Sequence, residues 1–391
     1  MGHPDALTLS HFDDTKRRTQ FATRPLLVFW ETTTACELAC RHCRANAQLV
    51  PGPDELSTSD GRRLIDSLAA IGRPRPILIL TGGDCLMRDD IVELARYAQA
   101  VQVPVAIAPS VTNRLTGATL DALRGCGVSS ASLSLDGATA PTHDGVRGIP
   151  GHFDRTLEAI DRLIEHGFTV QVNTTVMIPT VEELADVAVL VHRHGVSAWE
   201  VFFLIETGRG THELATTASQ NEEICRFLVD ASRRGFTVRT VEAPFFRRLT
   251  RDAANGRELE PIVGGLHERL RARLDDQLGE AHHAVRAPSA ATRDGKGIIF
   301  VAANGDVFAS GFLPLRLGNV RERDLIEIYR DDAMLRRIRS ADFVGPCGTC
   351  AHADLCGGSR SRAFAITGDP LASDPGCLVV DRRASDPPFV R

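Results

Sequence analysis

Between residues 25 and 205, short apolar runs alternate with stretches of helical spacing, and this alternation leaves the chain few architectures. The runs are 26–30, 76–80, 103–108, 131–135, 169–175 and 199–204. Between them, 57–71, 90–101, 117–125, 153–166 and 181–194 carry apolar residues at the spacing of an amphipathic helix. Several open on a capping side chain, as at Ser57-Thr58-Ser59-Asp60. Repeated strand–helix units build a parallel sheet covered by helices. Six such units are too few to close an eight-stranded barrel. The fold class read from this pattern is α/β, an open partial barrel.

Each chemistry-bearing segment in this region directly follows a strand candidate. Cys36, Cys40 and Cys43 follow the first, and Thr81-Gly82-Gly83-Asp84 follows the second. Asp136-Gly137 follows the fourth, and Glu206-Thr207-Gly208-Arg209-Gly210 the sixth. Parallel α/β folds gather their active sites at the C-terminal ends of strands, so the placement suits one shared site.

The Cx3CxxC spacing of Cys36, Cys40 and Cys43 puts three soft thiolates on one short loop. Cubane iron–sulfur clusters are normally held by four thiolates, so three leave one iron open to a non-protein ligand. Two other readings exist: a zinc site with His42 as fourth ligand, and three inert buried cysteines.

With these residues in place, the chain resembles the radical S-adenosylmethionine (SAM) superfamily. The resemblance implies a partial (β/α)6 TIM-like barrel whose open iron is chelated by the amino and carboxylate groups of SAM. One electron then cleaves SAM to methionine and a 5′-deoxyadenosyl radical. His42 stands where the superfamily usually has an aromatic residue. Gly82-Gly83-Asp84 resembles its GGE motif, Asp replacing Glu; the glycines would allow close approach to the ligand, and Asp84 would hold its ammonium group. The segment ASLSLDGATAPTHDGVRG resembles the fourth-strand region, where Ser134 and Asp136 would meet the ribose and Arg147 the carboxylate of SAM. Asn173 is a candidate of the same kind. His143 reads as structural or surface-exposed, and Cys85 as a bystander.

Cys347, Cys350, Cys356 and Cys377 form a second group, spaced Cx2Cx5C with one cysteine further on. Four thiolates can close a zinc or an iron–sulfur site. The group resembles the SPASM extension of radical SAM enzymes, which implies an auxiliary 4Fe–4S cluster for electron transfer or structural support. Full SPASM domains carry seven cysteines for two auxiliary clusters. Here Ile299, Ser310 and the pair Ser359-Arg360 stand at the positions of the missing ligands, which implies one auxiliary cluster. Cys126 and Cys225 read as core residues.

The implied division is a 1–23 N-terminal segment, a 24–215 partial barrel, a 216–292 helical connecting region and a 293–391 SPASM-like domain with its tail. In the connecting region, 219–234 reads as helix, 236–241 as a short strand and 287–291 as a linker. Phe245, Phe246, Arg247 and Arg248 would either cover the substrate or pack. Asn304-Gly305 signals a two-residue hairpin turn, and the tail with Pro387-Pro388 reads as frayed.

A net charge of −5 with mixed signs argues against nucleic acid or an anionic membrane surface as partner. No apolar stretch approaches the ~18 residues of a membrane span. The N-terminus lacks the apolar core of a secretory signal, and ten cysteines suit reduced, metal-bound thiols in the cytoplasm.

The stretches TGGD, SLDGATAPTHDGVRGIPG, VNTTV, FLIETGRG and GFLPLRLGNV are most similar to the branch of alternative haem-biosynthesis enzymes. That likeness implies a radical SAM oxidoreductase acting on a tetrapyrrole carboxylate side chain, for example by decarboxylation. Its auxiliary cluster would accept the resulting electron, and flavodoxin or ferredoxin would supply reducing electrons. The same branch borders enzymes that modify ribosomally made peptides. Those often carry an N-terminal recognition domain, which the few residues before the first strand here do not match. A non-catalytic iron–sulfur carrier would need neither an open iron nor the GGD and Arg147 constellation.

Overall fold

In the computed structural model, residues 21–45, 47–257, 262, 264–285 and 292–385 are described. The six anticipated strands form as β1 (Leu27–Glu31), β2 (Ile77–Thr81), β3 (Val105–Ile107), β4 (Ser130–Ser134), β5 (Thr169–Val176) and β6 (Ala198–Phe203). Helices Thr58–Ala70, Ile91–Ala100, Gly117–Gly125, His152–Glu165 and Leu184–Arg193 connect them in turn. The strands pair in parallel in sequence order, the arrangement that helical crossovers produce.

Two further parallel strands flank these six. β7 (Thr237–Val241) pairs with β6 through Ala198↔Thr237. The expected boundary at 215 therefore does not interrupt the sheet. Past the two-residue β8 (Arg293–Asp294), β9 (Gly297–Val301) pairs in parallel with β1 through Leu27↔Ile298. The antiparallel β10 (Asp306–Phe308) and β11 (Arg316–Asn319) extend the sheet beyond it. The C-terminal unit is thus joined to the barrel through a shared sheet. β1 and β6 would otherwise be edges with unpaired backbone groups, which β9 and β7 satisfy. β7 and β11 end the sheet, and it stays open.

Side chains alternate across each strand. Val28, Trp30, Leu78, Leu80, Leu133, Val172, Trp199 and Val201 are buried beneath the helices. Each such burial stabilises the fold by roughly 1.5–3 kcal/mol. The opposite face is half-buried and carries Ser130, Ser132 and Ser134 on β4, Gln171, Asn173 and Thr175 on β5, and Glu200 on β6. Ser134, Asn173, Glu200 and Arg239 are successive register partners in one row. On β4 and β5 the concave face is therefore polar where the convex face is apolar, whereas β1 and β2 add Leu27, Phe29, Ile77 and Ile79 to the concave side.

A helix not anticipated from the sequence, Ala140–Arg147, precedes His152–Glu165. Pro141 lies in its first turn, and Gly148, at φ 73°, ends it in the left-handed conformation that glycine tolerates. The Asn304-Gly305 turn also differs from expectation. Gly305 has φ 86° while Asn304 stays in the ordinary region, and the Gly305 N–H donates to the Ala302 carbonyl at 2.9 Å. The connection is a type I turn on Ala303 and Asn304 followed by a glycine bulge. The 287–291 linker, the Pro387-Pro388 tail and most of the N-terminal segment lie outside the described residues.

Candidate active site

The loop after β1 is pinned from two sides. The Thr33 and Ala35 carbonyls accept from the Gly83 and Asp84 N–H groups at 2.9 and 2.7 Å. Glu55 Oε1 accepts from the Thr34 N–H at 2.8 Å and from the Thr33 and Thr34 hydroxyls. Cys36 and Cys40 are buried, Cys43 is half-buried, and the three pack about Leu38. Cys36 Sγ accepts from the Leu38 N–H at 3.3 Å, yet burial still pushes this thiol above its usual value. A buried sulfur with a backbone donor is readily ionised once a metal neutralises it.

Gly82 and Gly83, expected to allow close backbone approach to a ligand, are themselves closely approached by the cysteine loop. A Cβ at Gly82 would lie 2.5 Å from the Thr33 carbonyl oxygen, and one at Gly83 would lie 2.3 Å from that of Ala35. Asp84, expected to hold an ammonium group, meets protein donors. Its side chain is fully buried and accepts from the Leu86 N–H at 3.1 Å, the Ser110 N–H at 3.2 Å and the Thr112 hydroxyl at 2.8 Å. Burial raises its pKa. The GGD turn therefore shapes the cysteine loop.

Asp136 and Arg147 are partners of each other. Arg147 Nη2 lies 2.6 Å from Asp136 Oδ2, in charge contact though not aligned as a hydrogen bond. Arg147 Nη1 donates to Cys40 Sγ at 3.5 Å. Burial alone would raise the Asp136 pKa, but Arg147, with His42 and His143, holds it down at about 2. Arg147 itself is raised: burial opposes its charge, and Asp136 and Cys40 more than offset that. His42 Nε2 faces Asp136 Oδ2 at 3.7 Å, so His42 turns to the carboxylate.

His143 is wholly buried, which removes the surface alternative. Its Nδ1 accepts from the Asp136 N–H at 3.1 Å, so its proton is on Nε2, which faces His152 Nδ1 at 2.8 Å. Burial, reinforced by Arg147, lowers His143 to about 3 and His152 to about 4. Both rings stay neutral and fix the backbone of Asp136. Ser134 and Asn173 lie side by side in register on the concave face.

Sequence reasoning singled out the segment after β6 but missed Arg209 as a functional residue. Its N–H donates to the Cys43 carbonyl at 2.9 Å, and a Cβ at Gly208 would collide with the Cys43 and Arg44 carbonyls. This packing sets the guanidinium beside the cysteine loop, close enough to His42 to disfavour its protonation. Nε and Nη2 of Arg209 are buried and unpaired, as are His42 Nδ1 and Arg147 Nε. Buried polar atoms rarely stay unsatisfied. Their concentration beside three cysteines fits a zwitterionic ligand such as SAM on the open iron.

In the second cysteine group, Cys347 and Cys356 Sγ accept from the Asp374 and Gly358 N–H groups at 3.5 Å, and Cys350 Sγ from the His352 N–H at 3.4 Å. Cys377 directly precedes the helix Leu378–Ser385, and its carbonyl accepts from the Val380 N–H at 2.9 Å. Burial pushes Cys356 up to about 11 and Cys377 to about 12. Donors aimed at sulfurs that burial would keep protonated fit thiolates bound to a metal centre. Among the described residues, no three Cys, His, Asp or Glu side chains converge as they would on a single ion. Ile299 is core, whereas Ser310 and Ser359 join a buried carboxyl pair, Glu242 and Asp294. Phe245 and Phe246 are buried in the core and do not cover a substrate.

Comparison with known proteins agrees with this geometry. Residues 30–191 match the radical SAM superfamily profile. The chain is 36% identical over 357 residues to the AdoMet-dependent heme synthase of Methanosarcina barkeri, covering 90% of this chain and 96% of that one. It is 34% identical over 361 residues to the AdoMet-dependent heme synthase of Oleidesulfovibrio alaskensis, covering 91% and 88%. Its fold is similar to that of Streptococcus suis SuiB, with TM-score 0.66 at 16% identity over 91% of this chain and 78% of SuiB. The convergence of a three-cysteine loop, an unsatisfied polar shell and these likenesses has one consequence: the chain belongs to the radical SAM superfamily and is an enzyme closely related to the AdoMet-dependent heme synthases.

Proposed function

We propose that this enzyme oxidises a propionate side chain of a tetrapyrrole, decarboxylating it, and that it carries an auxiliary 4Fe–4S cluster on Cys347, Cys350, Cys356 and Cys377. The observation that carries the reading is the likeness to heme synthases over 90% of the chain. SAM bound at the open iron supplies, on reductive cleavage, the radical that takes a hydrogen atom from the substrate.

The protein's own residues bind, orient and shield. Cys36, Cys40 and Cys43 hold three irons, and Arg147 donates to the Cys40 sulfur. Arg209 offers its unpaired N–H groups to a carboxylate. Ser134 and Asn173 give the concave face hydroxyl and amide groups that suit a ribose. Arg44 reaches from the cysteine loop to Glu31 at 3.1 Å and stacks on Phe300 at 4.4 Å, closing the C-terminal hairpin over that side.

The test is anaerobic incubation of reconstituted protein with SAM, a strong reductant and an iron-loaded tetrapyrrole bearing propionates. Carbon dioxide and 5′-deoxyadenosine should appear in equal amounts. 5′-Deoxyadenosine with an unaltered tetrapyrrole would refute the substrate assignment and leave a peptide as the next substrate to offer. Iron and sulfide should each number about eight per chain if both clusters are present.

A further inference from the structure

We infer that Arg247 and Arg293 make the auxiliary centre an electron sink, by placing positive charge, buried at Arg293 and half-buried at Arg247, beside the segment that carries Cys356. The inference rests on the reading above that four cysteines hold a cluster there.

Among the described residues, Arg251 bonds to His352 between Cys350 and Cys356, and five more arginines stand around this cysteine group. Two have carboxylate partners: Arg248 with Glu222 at 2.6 Å and Arg362 with Asp374 at 3.2 Å. Three donate instead to backbone carbonyls. Arg247 reaches those of Leu355 and Thr292, and Arg293 those of Asp354 and Ile338. Arg360 reaches those of Gly358, Pro370 and Ala372. Among the described residues none of these three forms an ion pair, and Arg293 Nε and Arg360 Nη2 are buried without any partner.

Guanidiniums are not buried without an opposing charge unless one arrives with a ligand. Arg247 meets the Leu355 carbonyl and Arg293 the Asp354 carbonyl, just before Cys356, and a Cβ at Gly357, just after it, would lie 2.9 Å from the Arg293 guanidinium carbon. A cubane with four thiolates is a dianion when oxidised and a trianion after gaining one electron. Fixed positive charge favours the second form more than the first, because the attraction grows with the charge attracted. Helix Phe246–Ala254 brings in Arg247, and β8 brings in Arg293.

The electron balance of the proposed reaction gives this bias a purpose. Taking a hydrogen atom from the carbon next to the macrocycle leaves a carbon radical. Loss of the carboxylate as carbon dioxide then forms the vinyl double bond and leaves one electron over. Positive charge beside Cys356 favours its arrival there.

The test uses full-length protein with Cys36, Cys40 and Cys43 changed to Ala, so that only the auxiliary centre contributes to the spectrum. Its midpoint potential is read by redox titration with electron paramagnetic resonance. Arg247→Gln and Arg293→Gln should each lower the reduced-to-oxidised ratio at a fixed potential about tenfold, a fall of about 59 mV for one electron. Arg293→Lys, which keeps the charge, should move it far less. Half-buried Arg247 gives a second measurement if Arg293→Gln fails to fold. Bound cluster with an unmoved potential in the neutral variants overturns the inference alone. Protein without iron at this site overturns the cluster reading as well.

Discussion

Arg147 lies 2.6 Å from the Asp136 carboxylate with one terminal nitrogen and 3.5 Å from the Cys40 sulfur with the other. One guanidinium thus ties Cys40 on the loop after β1 to Asp136 on the loop after β4. Arg147 and Asp136 are both buried, so each is the other's main compensation for lost hydration.

Asp136→Asn should leave the Arg147 charge buried and unopposed, destabilising the protein by about 3 kcal/mol. Chemical denaturation of the cluster-free protein measures it. The same pair sets an acid limit. The Asp136 pKa is depressed to about 2 in the fold, below the unfolded value near 3.9. Its contribution is therefore complete above about pH 4 and is lost as pH falls through about 2, by roughly 2.6 kcal/mol. Identical acid limbs for the wild type and Asp136→Asn would count against the assignment.

Gly83→Ala should damage the SAM cluster site and spare the auxiliary one. The new Cβ would meet the Ala35 carbonyl oxygen at 2.3 Å, and backbone must move to relieve it. Overpacking of this kind costs about 1–3 kcal/mol. Iron per chain should fall to about half while the helical circular dichroism stays unchanged. Full iron content with normal 5′-deoxyadenosine formation would show that the loop accommodates the methyl group.

Arg209→Gln should weaken SAM binding about tenfold to a hundredfold, as expected for loss of a charge-assisted hydrogen bond. Equilibrium dialysis against labelled SAM with reconstituted enzyme reads this directly. Arg209→Lys should recover only part of the affinity, since a point charge cannot reproduce the planar fork. Unchanged affinity in the glutamine variant would reassign the unpaired N–H groups to the substrate.

The cysteines and the six central strands were legible because strand period and thiol spacing are local properties of the chain. What the neighbouring residues do was not. Nothing local to Asp84 shows that Thr112, from a later loop, donates to its carboxylate. Arg147 and Asp136 read as independent contacts until the helix Ala140–Arg147 sets them face to face. The pairing of β9 with β1 joins segments some 270 residues apart in sequence, and no periodicity encodes that. Arg209 carried one local signal, its place directly after a strand. Its value as a binding group emerges only from the absence of a partner for its buried atoms.

The carboxyl pair where further cluster ligands were missing makes the last prediction. Glu242 follows β7 with φ 60°, and its carboxylate accepts from the Ser359 hydroxyl. Burial and the nearby Asp294 push its pKa up to about 8, and burial raises Asp294 as well. An acid whose folded pKa exceeds its unfolded value near 4.3 holds a proton in the fold that the unfolded chain has released. Stability from this group is therefore greatest below about pH 4 and declines as pH rises toward 8. Glu242→Gln supplies a permanently neutral side chain of the same shape, so the variant should match the wild type near pH 5 and exceed it near pH 8. Melting temperatures of both proteins across that range decide the matter. Two curves that run parallel would mean that the pair does not share a proton and that Glu242 is ionised in the fold.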